Sequence, residues 1–454
     1  KMYRIFPAAV LLVLICELFV LDYPSLWYRE SPTRNQVATE YYNDGTKEAV
    51  AMLKEQDDSV YRIEKSYTSA SENDGMSQGY NGLSVYMSTN PASLVAYHKM
   101  YGPETLSGNF VDFNMDDYIR SSLLGTKYLI TGTGYHAPQK IYTSVGEAGG
   151  RSVFENQYAL PFGYLYDKEW NQEEVKEMSG LDKTLASLSG FYYTDAEETS
   201  SYQKADLPEQ TDLSLLDYAD TATDCTMEKG SEGITVSNLG ADPNVVFPGV
   251  ASCFADNDKL YGLSLTVDAP DETEMAVYYQ TEGDEGFSAE KVYTFKVTED
   301  NRTWEHLVPG GITELRVDVS SPVESAVINN FELKSCDITE SGYTALKESG
   351  VDEVTFSDST YQAQVTNDAS ENKMLCVPLF YQKGWTAQID GEDAGVYNIN
   401  EGMCGVEVPS GTHEIVLKYE TPYQNYGVGM TIIGIIIFIL AFSQNLYKFF
   451  VKLC

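Results

Sequence analysis

Two long apolar runs near the ends of the chain restrict its architecture more than any other feature. Residues 5–21 (IFPAAVLLVLICELFVL) carry one charged side chain, Glu17, and residues 427–442 (GVGMTIIGIIIFILAF) carry none. Each run is close to the roughly 20 residues with which a helix crosses about 30 Å of hydrocarbon. The first run lacks the small-residue cleavage site that ends a signal peptide. We therefore predict transmembrane helices over residues 1–22 and 424–446.

The cations beside these runs set the predicted orientation. Lys1 and Arg4 precede the first run, and Lys448 and Lys452 follow the second. Lys and Arg are enriched on the cytoplasmic side of membrane helices, so we expect both chain ends there, with residues 447–454 as a short tail. The long middle of the chain is then extracellular, and the expected location is the cell membrane.

Glu17 is an unusual residue for a membrane helix. Placing a carboxyl group at the centre of a bilayer costs at least roughly 2.5 to 3.5 kcal/mol on insertion scales. We therefore expect Glu17 to face a neighbouring helix or a polar cavity. The expected partners are the lipid bilayer and further transmembrane helices of the same protein, upstream of this segment.

The charge of the chain excludes one class of partner. With 68 acidic and 30 basic residues, the formal net charge is −38. Such a chain repels nucleic acid and anionic lipid, so no nucleic-acid partner is expected. The charge is compatible with solubility outside the cell, with divalent cations held at a cell wall, or with a cationic partner, and it does not choose among them.

The chain has seven cysteines but no zinc-binding spacing. Neither a C-x-x-C pair nor a Cys/His cluster occurs, so we expect no metal site. Cys225 and Cys336 bracket one candidate domain and are a possible disulfide pair. Free thiols are the alternative, because connectivity cannot be read from spacing alone.

Between the apolar runs, the first part of the chain mixes helical and strand patterns. Residues 23–194 include a helical pattern at 46–56, an apolar strand at 127–131 and a helix-like segment at 173–189, which together predict an α+β domain. Residues 195–212 are rich in Asp, Glu, Ser and Thr and poor in large apolar side chains. We predict a linker there.

The remaining extracellular part consists of short alternating segments separated by Asp, Gly, Pro and Asn turns. This pattern predicts a β-sandwich of the jelly-roll kind over residues 213–336 and a smaller one over residues 337–423. The smaller sandwich leads directly into the last apolar run and is expected beside the membrane. The predicted fold is thus two terminal transmembrane helices enclosing an α+β domain followed by two β-sandwich domains.

Aromatic residues supply the candidate carbohydrate contacts of the first sandwich. Trp304 with Tyr278, Tyr279 and Tyr293 could form a flat platform like those of jelly-roll carbohydrate-binding modules. Strand alternation alone produces such sets in many sandwiches, so ordinary packing is the alternative.

A second aromatic group lies in a Gly-, Asn- and Ser-rich segment of the α+β domain and comprises Tyr80, Tyr86, Tyr97, Tyr101, Asn81, Asn90 and His98. Tyrosine offers an apolar face with a hydroxyl, and asparagine binds hydroxyl groups, so this mixture is typical of a glycan groove. The chain contains 34 tyrosines, however, and a tyrosine-rich surface and core is the alternative.

In the smaller sandwich, Trp385 either stacks on a sugar ring or fills the core, and the second is the more common role. Asp390 and Gly391 stand between two alternating segments and predict a type I′ turn, which needs positive φ at both residues. We prefer this turn to a calcium site. His413 has no partner His, Ser or Cys nearby in sequence, so we predict capping or packing rather than catalysis.

The end of the chain combines a Gly-Trp turn, an Asp-Gly hairpin, a Pro-x-Gly-x-His turn and a closing Lys-Tyr, at Gly384, Trp385, Asp390, Gly391, Pro409, Gly411, His413, Lys418 and Tyr419. In this pattern it resembles the terminal module of the bacterial YfhO membrane-protein family. Upstream, the segments VYRIE, GYNGLSVYMSTN, LLGTKYLIT and FENQYALPFGYLYD occur in the order that the family shows. Residues 213–336 match the family least well.

This resemblance implies a polytopic glycosyltransferase of the GT-C kind that uses a polyprenyl-phosphate-linked sugar to decorate cell-surface polymers such as lipoteichoic acid. The cell-wall glycopolymer acceptor is then a further expected partner, and the sugar donor belongs to the full-length protein, with no cofactor expected in this part. Because the upstream spans and their acidic first outer loop are missing from this sequence, we expect no catalytic residue here. The alternative is a non-catalytic, membrane-anchored carbohydrate-binding protein. A hydrolase would need a carboxylate pair or nucleophile motif, which we do not find.

Overall fold

The computed structural model describes residues 10–20, 33–71, 73–101, 110–111, 118–132, 141–195, 202–256, 259–289, 291–299, 302–319, 324–337, 342–357 and 359–451. Its helices are α1 (residues 10–20), α2 (Arg34–Thr39), α3 (Thr46–Gln56), α4 (Asp74–Gln78), α5 (Ala92–Tyr101), α6 (Tyr118–Leu123), α7 (Gln172–Glu177), α8 (Gly180–Ser189), α9 (Tyr343–Lys347) and α10 (Gln424–Val451). Most of the remaining structure is β-sheet.

The strands of the first half are β1 (Arg62–Lys65), β2 (Val85–Tyr86), β3 (Phe110–Val111), β4 (Thr126–Thr131), β5 (Tyr142–Ala148), β6 (Arg151–Asn156), β7 (Tyr164–Tyr166), β8 (Lys168–Glu169), β9 (Gln203–Lys204), β10 (Thr211–Ser214), β11 (Thr221–Thr223), β12 (Thr226–Gly230), β13 (Gly233–Ser237) and β14 (Asn244–Pro248).

Those of the second half are β15 (Lys259–Asp268), β16 (Glu274–Thr281), β17 (Val292–Lys296), β18 (Thr303–Val308), β19 (Ile312–Val319), β20 (Ser325–Asp337), β21 (Val351–Ser357), β22 (Thr360–Asn367), β23 (Lys373–Phe380), β24 (Trp385–Ile389), β25 (Glu392–Ala394), β26 (Tyr397–Ile399), β27 (Met403–Val408) and β28 (Gly411–Tyr419).

The predicted terminal transmembrane helices are not confirmed by the structure. Across the described ranges, no helix combines the length and the apolarity that a bilayer crossing requires.

The first domain is built on the four-stranded sheet β1-β4-β6-β5, in which β1 and β4 are parallel and the other pairs antiparallel. Helix α3 packs on this sheet through Ala49, Val50 and Leu53, which are buried against Ile63 and Ile130. Leu53 follows Ala49 by four residues and Val50 by three, and these are the spacings that place side chains on one face of a helix. The helical pattern predicted at residues 46–56 is confirmed.

The helix predicted at residues 173–189 is instead two helices, α7 and α8. Ser179 separates the two helices. Its hydroxyl accepts a hydrogen bond from the backbone N–H of Asp182 at 3.1 Å and thereby caps the start of α8. Asn171 caps α7 in the same way by accepting the N–H groups of Glu173 and Glu174. Ser and Asn are strong N-cap residues, since they satisfy donors that a helix start leaves open.

The middle sandwich consists of two antiparallel sheets. Its inner sheet has the order β12-β13-β20-β15-β18, with β10 also paired to β20, and its outer sheet has the order β11-β14-β19-β16-β17. Side chains such as Phe247, Leu263 and Phe331 are fully buried between the sheets. Alternate residues of each strand fill this core, as the period of two predicts.

The last sandwich pairs the sheet β21-β22-β28-β24-β25 with the sheet β26-β27-β23-β7. Strand β7 comes from the first domain, and its Tyr166 lies opposite Met374 of β23. Its core, which includes Tyr361, Leu375 and Val406, also contains Phe162 and Leu165 from before residue 194. Strand β7, which lies within the range predicted for the α+β domain, therefore completes the last sandwich.

The possible Cys225–Cys336 disulfide is wrong, because both cysteines are free. The strand register explains why. Cys225 directly precedes Thr226, which pairs with Ser237, and Ser237 pairs with Ser325 at the start of β20. Cys336 lies at the other end of β20. At roughly 3.3 Å per residue the two cysteines are about 35 Å apart, far beyond the about 7 Å that a disulfide tolerates.

Candidate functional site

The inner sheet of the middle sandwich is occupied by a contact with the first domain. Helix α8 lies against it, with Leu181, Leu185 and Leu188 in one buried cluster with Leu260 and Leu307. The carboxylate of Glu305 also accepts the backbone N–H of Leu181 at 3.2 Å, at the start of the helix. The sandwich is thus attached to the first domain through its inner sheet, and its outer sheet lies on the side opposite this contact.

Trp304 closes one edge of the sandwich. It lies on β18, and its ring is nearly parallel to those of Phe295 and His306, at 5.7 Å between centroids in each case. Tyr293 of β17 adds a contact at 5.6 Å, and Tyr279 stacks on Tyr293 at 5.6 Å. The structure thus brings together three of the four predicted platform residues, but as a packed cluster that joins the edges of the two sheets.

Tyr278 is separated from this cluster because successive strand residues point to opposite faces. Along β16, Met275, Val277 and Tyr279 are buried, whereas Tyr278 is half-buried on the outer face. The predicted platform of Trp304 with Tyr278 is therefore wrong in its geometry. Sugar contacts by either residue remain a prediction.

A different set of residues surrounds Tyr278, and we call Tyr278, Arg316, Asp318 and Asp242 the Tyr278 face. The guanidinium carbon of Arg316 lies 5.1 Å from the centre of the Tyr278 ring. Arg316 donates two hydrogen bonds to Asp318, at 2.7 and 2.6 Å, and a third to Asp242 at 3.1 Å. This arrangement places an aromatic ring, a fixed guanidinium and two carboxylates on one sheet face.

The contacts within the Tyr278 face shift the pKa values of its charged groups. The hydrogen bonds that Arg316 donates to Asp318 raise the pKa of Arg316 above its usual value. Burial raises the pKa of Asp318, although the Arg316 contact opposes that shift. Arg316 and Asp318 are not among the residues predicted from the sequence. The alternation in ELRVDV indicates that these two share one face of a strand, and the register of β16 and β19 puts that face beside Tyr278.

The first domain contains an open cleft of about 480 Å³ between α3 and α4. We call it the α3–α4 cleft. Its lining residues are Lys54, Asp57, Asp58, Ser59, Tyr61, Ile63, Gly75, Gly79, Tyr80 and Asn81. Tyr80 and Asn81 from the predicted glycan groove therefore line a real concavity.

Hydrogen bonds hold one wall of the cleft in place. Asp57 accepts from the ammonium of Lys127 at 2.7 Å and from the hydroxyl of Tyr128 at 2.8 Å. Burial alone would raise the pKa of Asp57, but hydrogen bonds from Lys127, Ser59 and Tyr128 outweigh it and hold the pKa well below its usual range. Burial also raises the pKa of Tyr61 to about 12, so this phenol is neutral at physiological pH.

Three other members of the predicted groove, Tyr86, Tyr97 and His98, do not line the cleft. Tyr97 is buried with an edge contact to Phe380 at 6.0 Å between ring centres, and His98 is buried as well. Tyr86 is exposed, and its backbone is held by the side chain of Asn73 through bonds of 2.8 and 3.0 Å. The side-chain surroundings of Tyr101 lie outside the described residues.

In the last sandwich, the structure gives Trp385 a packing environment. Its indole N–H donates to the carbonyl of Phe380 at 3.2 Å, and its ring lies 5.3 Å from that of Tyr419. The turn prediction is confirmed, since Asp390 and Gly391 have φ of +53° and +85°. His413 contacts Asp390 at 2.7 Å and caps this turn.

Two further expectations concern Glu17 and metals. Glu17 lies within α1 and is exposed in the isolated chain, so its predicted helical or polar neighbour stays a prediction. Within the described residues, no group of three or more His, Cys, Asp or Glu side chains could hold a metal ion.

A sequence model of the family described as "Bacterial membrane protein YfhO" matches residues 1–431. The chain belongs to the YfhO family. The resemblance found in the sequence is thereby confirmed, and it places this YfhO-family chain among bacterial membrane proteins. A curated relative, the uncharacterized protein YfhO of Bacillus subtilis strain 168, is 21% identical over 431 residues, which is 90% of this chain and 46% of the relative. The chain thus spans about half the length of the curated relative it matches.

Solved structures offer only distant similarity to this YfhO-family chain. The C-terminal CBM6 of LamC from Zobellia galactanivorans is 13% identical and covers 28% of the chain and 100% of the module, at a TM-score of 0.18. The mycobacterial arabinofuranosyltransferase AftD is 10% identical and covers 51% of the chain and 29% of the enzyme, at a TM-score of 0.16. At these scores neither similarity supports an inference.

Proposed function

We propose that this chain is the extracytoplasmic C-terminal part of a membrane glycosyltransferase and that it holds the acceptor glycan beside the membrane. The full-length protein would transfer a sugar from a polyprenyl-phosphate donor to a cell-surface polymer such as lipoteichoic acid. Membership of the YfhO family supports the membrane location. No catalytic residue is assigned to this chain.

The Tyr278 face is the observation on which the glycan-binding part of this proposal depends. Sugar rings are bound by aromatic faces, and their neighbouring hydroxyl pairs by planar groups that form two hydrogen bonds at once. Tyr278 supplies the aromatic ring on one sheet face. Arg316 donates through Nε and Nη2 to Asp318 and Asp242, so its Nη1 and the remaining lone pairs of these carboxylates are the groups offered to sugar hydroxyls. Because α8 holds the inner sheet, this face points away from the first domain.

Binding to a glycan array, using the full 454-residue chain in detergent, tests the proposal. We expect Tyr278→Ala and Arg316→Gln to weaken binding about tenfold, since each removes a contact worth roughly 1 to 2 kcal/mol. Tyr41→Ala, which truncates an exposed tyrosine in the first domain, is the matched control. Equal glycan binding by all these variants, or a loss confined to Trp304→Ala, would remove the Tyr278 face from the proposal.

The proposed orientation has its own test. The apolar runs at residues 5–21 and 427–442 support two membrane anchors with the sandwiches outside the cell. Protease added to intact bacteria should then digest the segment between them. If that segment is cut only after the cells are lysed, the extracellular placement is wrong.

A further inference from the structure

The α3–α4 cleft has the size and shape of a binding site. Its volume of about 480 Å³ falls within the roughly 300 to 1,000 Å³ of small-molecule pockets. The end of α3 and the segment that leads into β1 form one wall. The segment from Gly75 to Asn81, at the end of α4, forms the other.

Direct bonds tie the two walls together. The ammonium of Lys54 donates to the carbonyl of Gly79 at 2.7 Å across the cleft. The backbone N–H of Ile63 donates to the carbonyl of Asn81 at 2.8 Å, and the Asn81 side chain donates to the carbonyl of Tyr61 at 3.3 Å. A cleft held in this way is preformed, so a ligand spends little binding free energy on ordering it.

The tyrosine rings and nearby polar groups of the cleft match a sugar unit. The Tyr80 ring packs against the backbone of Gly75 and Gly82. A Cβ built at Gly75 would lie 3.5 Å from the ring, and one built at Gly82 would lie 3.2 Å from it. Asp58, Ser59 and Asn81 are exposed beside the rings of Tyr61 and Tyr80. An aromatic wall with adjacent hydroxyl, amide and carboxylate groups is suited to a ring that is apolar on its face and hydroxylated at its edge.

The charge of the cleft disfavours anionic ligands. Asp58 and Asp57, the second of which is paired with Lys127, contribute two carboxylates, and the carbonyl end of α3 adds partial negative charge. Among the described residues that line the cleft, Lys54 is the cation, and its ammonium already donates to the carbonyl of Gly79; the whole chain carries −38. A phosphate or sugar phosphate would meet repulsion here. We propose that the α3–α4 cleft is a binding site for an uncharged sugar unit, independent of the Tyr278 face.

Saturation-transfer NMR on the full chain in detergent tests this site, with maltose and di-N-acetylchitobiose as uncharged probes and glycerol 3-phosphate as the anionic probe. We expect saturable transfer to at least one disaccharide, and about tenfold weaker binding by Tyr80→Ala and by Asp58→Ala. Glu228→Ala removes an exposed carboxylate of the middle sandwich and should leave the affinity unchanged.

The outcomes separate this site from the proposed function. Disaccharide binding that is lost in Tyr278→Ala but kept in both cleft variants overturns the cleft site and supports the Tyr278 face. Binding of glycerol 3-phosphate in preference to the disaccharides, or the absence of disaccharide binding to the unmodified chain, also overturns the cleft site. Weaker disaccharide binding in both cleft variants, with unchanged binding in Glu228→Ala, supports the cleft site.

Discussion

The side chain of Leu181 occupies the space directly above Gly262. A Cβ at position 262 would lie 2.1 Å from a methyl carbon of Leu181, a separation that no side chain tolerates. Gly262 is in the middle of β15, paired with Leu307 on one side and Lys334 on the other. The absence of a side chain at this position lets α8 approach the inner sheet, and this contact fixes the middle sandwich to the first domain.

Replacement of Gly262 should therefore loosen the attachment of the middle sandwich. We expect Gly262→Val to lower the free energy of unfolding by about 1 to 3 kcal/mol through overpacking. Leu181→Ala should cost about 2 to 5 kcal/mol, because Leu181 is only 4% exposed. Urea unfolding followed by tryptophan fluorescence measures both effects.

Gly286→Ala is the control for this pair, since no atom lies within 4 Å of a Cβ at position 286. The double variant Gly262→Val/Leu181→Ala should be less destabilised than the sum of the two single variants, because the methyl groups that clash are gone. Strict additivity would contradict the contact.

A buried ion pair in the first domain gives a second prediction. Lys65 and Asp74 are 2.7 Å apart, with side chains 5% and 3% exposed. Burial would raise the pKa of Asp74, but the hydrogen bond from Lys65 and those from the backbone of Ser69 and Ser71 outweigh it and lower the pKa. We expect Lys65→Met to destabilise the protein by about 3 to 5 kcal/mol, because it leaves a buried carboxylate without its cation.

The double variant Lys65→Met/Asp74→Asn should recover part of this loss, since the amide is uncharged. Thermal unfolding of the single and double variants gives the coupling free energy. Lys204→Met is the control, because the Lys204–Glu174 pair is exposed and such pairs are worth about 0 to 1 kcal/mol. A loss of the same size in Lys204→Met would contradict the burial argument.

His413 and Asp390 predict a pH dependence. The hydrogen bond that the His413 ring donates to the Asp390 carboxylate raises the pKa of His413 above 6.5. A group whose pKa is raised by folding stabilises the fold fully below its unfolded pKa, and this stabilisation disappears as pH rises through the folded pKa. The contribution of His413 should therefore decline from about pH 6.5 upward.

Proton NMR titration of the His413 ring measures the folded pKa, and Asp390→Asn should move it down towards 6.5. His413→Gln should flatten the dependence of the unfolding midpoint on pH in the same range. An His413 pKa that stays the same in Asp390→Asn would show that another group causes the shift.

The cysteine arrangement predicts a chemical result. Cys225 and Cys253 are partly exposed, whereas Cys336, Cys376 and Cys404 are buried. In denaturant without reductant, iodoacetamide should label all five, as well as Cys16. Under native conditions Cys253 should react before the buried three, because reaction needs an accessible thiolate. Intact-protein and peptide mass spectrometry distinguish these states, and a Cys225–Cys336 crosslinked peptide would contradict the register of β20.

Local sequence signals predicted local structure well. The Asp390–Gly391 dipeptide predicted a tight hairpin turn, and β24 and β25 do flank these two residues. The pattern at 46–56 predicted α3, and the apolar run at 127–131 predicted β4. In each case the determining interactions lie within a few residues, so neighbouring side chains carry enough information.

The candidate site was only partly predictable. Tyr80 and Tyr278 were identified by residue type, but their neighbours were not. Arg316 lies beside Tyr278 only because β16 and β19 pair in one register, and a shift of one residue would place them on opposite faces. Tyr61 and Tyr80 line the same cleft because α3, α4 and the segment that leads into β1 converge there.

The sequence by itself determined the family, the apolar ends, the acidic charge and the β-rich character, because composition, order and short-range periodicity encode these properties. The tertiary structure alone decided that β7 completes the last sandwich, that α8 rests on Gly262 and that Cys225 is far from Cys336. These features depend on contacts between residues tens to hundreds of positions apart. Such contacts are chosen by the packing of whole faces, which no local pattern specifies.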